Sequence, residues 1–326
     1  MQQTDAATDA LALPDLDLIR SAQARIAPHV HRTPVLRCRS LDAEVGAELY
    51  FKAENVQRTG AFKARGASNA VFSLSAEEAR HGVVTHSSGN HGAALAYAAA
   101  RRRIPAFVVM PETAPRAKQE NVRRRQATIR LCAPTLEARD TACAAIQRET
   151  GATLVHPFDD ARVIAGQGTA ALELLEESPG LDAVVAPVGG GGLLSGTSIA
   201  VKSSDRAVRV FGAEPANADD AARSFRSGVV EPLAAATTIA DGLRTTLSMR
   251  TLSAIRAHVD AIGTASEAEI VRAMRMIWER MKIIVEPSAA VPLACLLEGT
   301  LEVRGMRVGI IISGGNVDLD RLPWQT

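Results

Sequence analysis

From 184 to 201 the chain reads VVAPVGGGGLLSGTSIAV, without one charged side chain. The stretch is long enough for a membrane span, yet Pro187 and the run Gly189, Gly190, Gly191, Gly192 would interrupt a continuous helix. It divides instead into a buried strand, a glycine loop and a helix, and that division constrains the whole chain. VVAPV is apolar on both faces, as a strand inside a parallel sheet is. Parallel strands need crossover connections, so helices must alternate with them. The same plan recurs in GVVTHSSGNHG (82–92), IPAFVVMPE (104–112, closed by a turn at Pro111), ATLVHPFDD (152–160), VRVFGAEP (208–215) and MRVGIIISGGN (306–316). The pattern implies an open α/β architecture, in which ligands sit at the carboxyl ends of strands, where these loops fall.

Composition narrows the partners. Basic residues number 37 and acidic residues 36, so no global field draws the chain to nucleic acid or anionic lipid. Basic residues do crowd 101–130, in Arg101–Arg103, Arg116, Lys118, Arg123–Arg125 and Arg130, against only Glu112 and Glu120. That run reads as a solvated helix face, with an anion or a partner subunit as the alternative. Cys38, Cys132, Cys143 and Cys295 form no CxxC and no metal spacing, which suits reduced thiols in a cytoplasmic enzyme. The N-terminal MQQTDAATDALALPD has neither the basic nor the apolar region of a signal peptide. With 326 residues, 47% hydrophobic and 22% charged, the chain is globular and fills one large domain or two.

The densest chemistry lies in KAENVQRTGAFKARGASNAV (52–71). Thr59 and Gly60 make a turn, and a helix starts at Ala61-Phe62-Lys63. A lysine in the first helical turn meets the positive end of the helix dipole, and burial there lowers its pKa and makes the amine a better nucleophile toward an aldehyde. Gly189–Gly192 follows a strand and opens a helix, so its N–H groups can surround a phosphate. No GxGxxG with a following acid and no Gly-Lys-Ser/Thr is present, so the loop points to a phosphate but not to a nucleotide. Ser87, Ser88, Gly89, Asn90, His91 and Gly92 form a second loop at a helix start. They suit a carboxylate, or else a plain N-cap. The remaining histidines have no spacing that suggests metal or triad chemistry.

Taken together and in this order, these motifs resemble the fold-type II pyridoxal-phosphate family, and within it the serine racemase and serine/threonine dehydratase branch, from about residue 15 to 320. The resemblance implies two open, twisted, mostly parallel α/β sheets: a large cofactor domain of residues 1–75 and 155–326, and a small substrate-loop domain of 76–154. It implies that Lys63, beside Phe62, carries pyridoxal 5'-phosphate. The phosphate would rest on Gly189–Gly192 and Leu193, with Asn90 at the phenolic oxygen, Ser313 at the pyridine nitrogen and Glu286 as a pocket wall. Ser87–His91, Arg139 and Thr245 would hold a small amino-acid substrate. Glu214, the Ala218 carbonyl and Asp220 would hold Mg²⁺, Ca²⁺ or Mn²⁺, the hard ions that oxygen ligands select. A homodimer is implied by the family alone.

The implied reaction is β-elimination from a small L-3-hydroxy amino acid to a 2-oxo acid and ammonia, with Lys63 as base. Ser88 matches the hydroxyl that reprotonates the opposite face in serine racemases, so racemase, or racemase with dehydratase, is the second reading. A cofactor- or amino-acid-binding protein without catalysis is the third. One position departs from the family: Gln126 stands where a glycine commonly precedes the strand beginning near Ala127, which puts the local turn in doubt.

Overall fold

The structure, a computed structural model, describes residues 12–87, 89–114, 116–233 and 237–325. Its strands form two sheets. The larger contains β1 (Val35–Leu36), β2 (Glu48–Ala53), β7 (Ala183–Pro187), β8 (Arg209–Pro215), β9 (Ala261–Ala265) and β10 (Arg307–Ile312), in the order β1-β2-β10-β7-β8-β9. All its pairings are parallel except that of β1 with β2. The smaller sheet contains β3 (Val83–His86), β4 (Ala106–Pro111), β5 (Thr128–Cys132) and β6 (Thr153–Leu154), ordered β5-β4-β3-β6 and wholly parallel.

Side chains alternate across a strand, and here both faces are buried. Ala183 and Val185 of β7, Phe211 of β8 and Val308, Ile310 and Ile312 of β10 enter one core. Val184, Ala186, Val210 and Ile311, the intervening residues, enter a second core on the opposite face. The small sheet repeats this with Val83 and Val108 against Val84 and Val109. Continuous Val/Ile runs are thus the physical consequence of a sheet covered on both sides.

Helices important to the site are α1 (Lys63–Ser73), α2 (Asn90–Arg102), α3 (Leu136–Thr150), α4 (Ala161–Glu177), α5 (Gly192–Ser204), α6 (Asp220–Ser227), α7 (Met249–His258) and α8 (Pro287–Leu297). A Cβ on Gly166 of α4 would lie 2.6 Å from the Cα of Gly66 on α1, so these helices pack backbone to backbone. Only glycine permits that approach.

The uncharged run at 184–201 is strand, loop and helix as read, and among the described residues no helix is long and apolar enough to cross a membrane. Three details differ from the sequence reading. β4 runs through Pro111, and the turn falls after it. In ATLVHPFDD only Thr153 and Leu154 pair as strand, leaving 155–160 as a loop. Gln126 keeps the turn that glycine would make by adopting φ 62°.

Candidate active site

The end of β10 grips the start of α1. Ala61 bridges Gly314, and the Phe62 N–H donates to the Ser313 carbonyl at 3.0 Å. Before them Thr59 is forced to φ 62°, a left-handed conformation costly for a β-branched residue. Asn316 Nδ2 holds this turn by donating to the Thr59 carbonyl at 2.8 Å. Lys63 emerges as the first residue of α1, its Nζ 5.2 Å from the Phe62 ring centroid and donating to the Pro157 carbonyl at 2.8 Å. Burial pulls its amine down to about 8, against the opposing pull of the Glu286 carboxylate.

Gly189–Gly192 is buried between β7 and α5. The Ser195 N–H donates to the Gly191 carbonyl at 2.8 Å. The N–H groups of Gly191, Gly192, Leu193 and Leu194 therefore face out of the helix end, which has no side-chain cap. A buried, uncapped helix start is a ready anion site. Gly191 adopts φ 85°, and a Cβ on Gly190 would fall 2.3 Å from Phe158 Cδ1, so the loop tolerates no side chain. Phe158 follows Pro157, so one short loop touches both the glycine turn and Lys63. The amine and the cup converge. These features fit a phosphorylated aldehyde.

Asn90 begins α2 and is oriented at both ends of its amide. Its Nδ2 donates to Glu286 Oε1 and Oε2 at 2.9 and 3.1 Å, and its Oδ1 accepts from Asn316 Nδ2 at 2.9 Å. Glu286 is buried at the start of α8. In the same loop the Gly89 N–H donates to Ser87 Oγ at 3.2 Å; Ser88 lies outside the described residues. His91 is buried with Nε2 3.3 Å from the Val155 carbonyl and Nδ1 without a partner among the described residues, and burial holds its pKa well below the ordinary histidine value. Ser313 is buried at the end of β10.

Arg139 on α3 is near enough to His86 to help depress its pKa, after burial, and its Nε is buried without a hydrogen-bond partner among the described residues. Thr245 is exposed on the loop before α7. Glu214, at the end of β8, accepts from the Ala221 and Ala222 N–H groups at 2.9 and 2.8 Å. Burial pushes Glu214 up to about 8 and Asp220 up to about 6, and both Asp220 carboxylate oxygens are buried without a partner among the described residues. Orphaned carboxylate oxygens suit a hard cation. Among the described residues no three His, Cys, Asp or Glu side chains gather around one metal position, so any ion here leans on main-chain oxygen such as that of Ala218.

The sequence reading overlooked three groups. Arg65, two residues beyond Lys63, is fully buried between Glu54 and Glu173; a charged residue inside an Ala-rich helix was the available signal. Asn316 ends the run at 306–316, where nothing local marks it as a group with a role of its own. His156 has no metal or triad spacing in the sequence, yet its Nδ1 accepts from the Asp159 N–H at 2.9 Å.

Residues 26–314 match the family described as pyridoxal-phosphate dependent enzyme. The chain is 51% identical over 313 residues to a beta-hydroxyaspartate dehydratase of Paracoccus denitrificans, covering 96% of this chain and 99% of the relative. It superposes on serine racemase from Dictyostelium discoideum with TM-score 0.91 and 50% identity, covering 94% of this chain and 100% of that one. It also superposes on maize serine racemase with TM-score 0.93 and 47% identity, over 95% of each chain. A solved threonine deaminase matches with TM-score 0.89 and 44% identity, over 94% and 99% of the two chains.

Proposed function

The chain belongs to the fold-type II pyridoxal-phosphate-dependent enzymes, and from that premise we propose that it eliminates the β-hydroxyl of a small L-3-hydroxy amino acid, releasing ammonia and a 2-oxo acid. The observation that carries the reading is the convergence of a Lys63 amine lowered to about 8 on a buried, uncapped glycine turn. Lys63 would hold the cofactor aldehyde, Gly189–Gly192 and Leu193 its phosphate, and Asn90, Glu286 and Ser313 its ring. When bound, pyridoxal phosphate supplies the electron sink that makes a proton on the substrate Cα acidic.

This chain supplies the rest. A Lys63 amine with a pKa near 8 is free in part at neutral pH and can take the Cα proton; its ammonium can then give a proton to the departing hydroxyl. Ser313 offers a hydroxyl rather than a carboxylate toward the ring, so it brings no countercharge for a protonated nitrogen. Ser87, Gly89 and the α2 N-terminus would hold the substrate carboxylate, with Arg139 and Thr245 closing over it as residues 76–154 move as a small domain. Glu214, Ala218 and Asp220 would hold a divalent cation. A homodimer in the cytoplasm belongs to the same proposal.

The relative at 51% identity is named a beta-hydroxyaspartate dehydratase, which supports testing 3-hydroxyaspartate first among substrates, ahead of serine and threonine. The likeness to serine racemase supports a second reading, racemisation through Ser88 and Lys63 on opposite faces of Cα. Purified protein given pyridoxal phosphate is assayed with 3-hydroxyaspartate, serine, threonine and phenylserine for ammonia, oxo acid and D-amino acid. Ammonia with oxo acid from one of them supports elimination; D-amino acid alone supports racemisation. A protein that takes up no cofactor defeats both.

A further inference from the structure

We propose that His156 is a positioning residue whose Nδ1 lone pair holds the loop 156–160 in the shape that brings the Pro157 carbonyl to the Lys63 amine and the Phe158 ring against the glycine cup. The proposal rests on the reading of Lys63 and Gly189–Gly192 as the cofactor site.

The geometry is that of a side chain at position i accepting from the N–H groups at i+2 and i+3. His156 Nδ1 lies 3.3 Å from the Phe158 nitrogen and 2.9 Å from the Asp159 nitrogen. Asn and Asp make this turn with a carboxamide or carboxylate oxygen. An imidazole makes it only when Nδ1 carries no proton, which puts the hydrogen on Nε2. The ring is fixed on its flanks by edge contacts to Phe158 at 4.6 Å and His86 at 5.2 Å between centroids. The far side of the loop is anchored independently. Arg250 Nη1 of α7 donates to the Asp159 carbonyl and to its Oδ1 at 2.8 and 2.6 Å, and Asp160 caps α4 through the Arg162 N–H at 2.8 Å.

Burial keeps the imidazole neutral by pulling its pKa down to about 4, and the charges around it partly offset one another. His86 at the end of β3 and Lys63 on α1 oppose protonation, as His91 on α2 would if charged. Asp159 in the loop and Asp140 on α3 favour it. The lone pair is therefore available wherever the enzyme would work.

Two consequences reach the reacting groups. Pro157 O is the acceptor that aims Lys63 Nζ, at 2.8 Å. Phe158 occupies the space beside Gly190 and Gly192 that any side chain there would claim. Loss of the Nδ1 acceptor releases both at once.

The test compares His156→Leu, which removes the acceptor, with His156→Asn, which restores one at a similar reach. Three readouts are used: pyridoxal phosphate affinity by absorbance titration, hydrogen exchange at the Asp159 amide, and the His156 tautomer by nitrogen NMR of the cofactor-free protein. Two lost hydrogen bonds predict cofactor binding weaker by about tenfold in His156→Leu, with faster exchange at Asp159, and recovery to within about threefold in His156→Asn. The tautomer should be Nε2–H. The proposal is overturned if His156→Leu binds and exchanges like the parent, if His156→Asn is as impaired as His156→Leu, or if the proton resides on Nδ1. Should the leucine variant not fold, the asparagine variant and the tautomer decide. Should the parent itself refuse cofactor, the proposed function fails, while exchange and tautomer still judge the role of His156.

Discussion

Arg65→Met should destabilise the protein by about 3–5 kcal/mol, because it strips a buried cation from two buried carboxylates. Arg65 is 0% exposed. Its Nε and Nη2 donate to Glu54 at 2.7 and 2.8 Å, and its Nη1 and Nη2 donate to Glu173 at 2.8 and 2.7 Å. Without it Glu173 keeps Lys52 at 2.8 Å and Glu54 keeps the Thr33 hydroxyl at 2.5 Å, so the damage stops short of two bare charges. Methionine fills much of the volume, so the loss reports electrostatics more than a cavity.

The sign of its pH dependence makes the test sharp. In the parent, burial raises the Glu173 pKa, but the hydrogen bond and charge of Arg65 and the charge of Lys52 outweigh it, leaving the group below its ordinary value. A depressed carboxylate contributes stability above its unfolded pKa and loses it as pH falls. In Arg65→Met the burial of Glu173 is no longer offset in full, its pKa rises, and its contribution to stability is lost as pH rises instead. The parent and variant should therefore converge on acidification. Urea unfolding at pH 5 and pH 8, followed by circular dichroism, measures both. A deficit under about 1 kcal/mol at pH 8, below the range for a broken buried pair, would refute the reasoning. So would a deficit that widens at pH 5.

Cofactor-free protein should take up pyridoxal phosphate at a rate that climbs with pH and levels off near 8, where burial places the Lys63 amine; a climb continuing to pH 10 would mean an ordinary exposed lysine. Chelation with EDTA should lower the melting temperature and Mg²⁺ should restore it; Asp220→Asn should abolish that response, and a response unchanged in the variant would move the ion elsewhere. Gln126→Gly should stabilise the fold by about 1 kcal/mol in urea unfolding, since glycine adopts the left-handed region without the Cβ penalty; a loss of stability would show that the Gln126 side chain has a role of its own.

Much of the fold was legible because burial on both faces leaves a visible mark. β7 and residues 308–312 of β10 are continuous apolar runs, and glycine or hydroxyl loops follow β3, β7 and β10. β2 and β9 escaped singling out for opposite reasons. ELYFKA carries Lys52, which is buried against Glu173 at 2.8 Å and the Thr33 carbonyl at 2.5 Å, and the pairing with Glu173 spans so much intervening chain that no local pattern reveals it. AIGTA is small and half-exposed, so it lacks the mass of a core strand. The site divides in the same way. Lys63 and Gly189–Gly192 stand out because one contiguous segment holds the chemistry. Asn316 and His156 do not, because each acts on residues brought to it by the fold or by a turn that histidine seldom makes.

Arg65 and Lys63 show how far the same helix can push two cations in opposite directions. They sit two positions apart, and burial penalises the charge on both. Arg65 meets Glu54 and Glu173 directly, and the two carboxylates raise its pKa above the ordinary value despite that burial. Among the described residues Lys63 donates to the neutral Pro157 carbonyl and to no carboxylate, and Glu286 acts on it as a nearby charge. The buried network is almost self-neutral, with Arg65 and Lys52 balancing Glu54 and Glu173. It can anchor α1 without raising the Lys63 pKa back toward its ordinary value. A free carboxylate in its place would raise the amine's pKa and cost it nucleophilicity at neutral pH. Pairing every charge in the anchor is therefore what allows one helix turn to be both firmly held and chemically reactive.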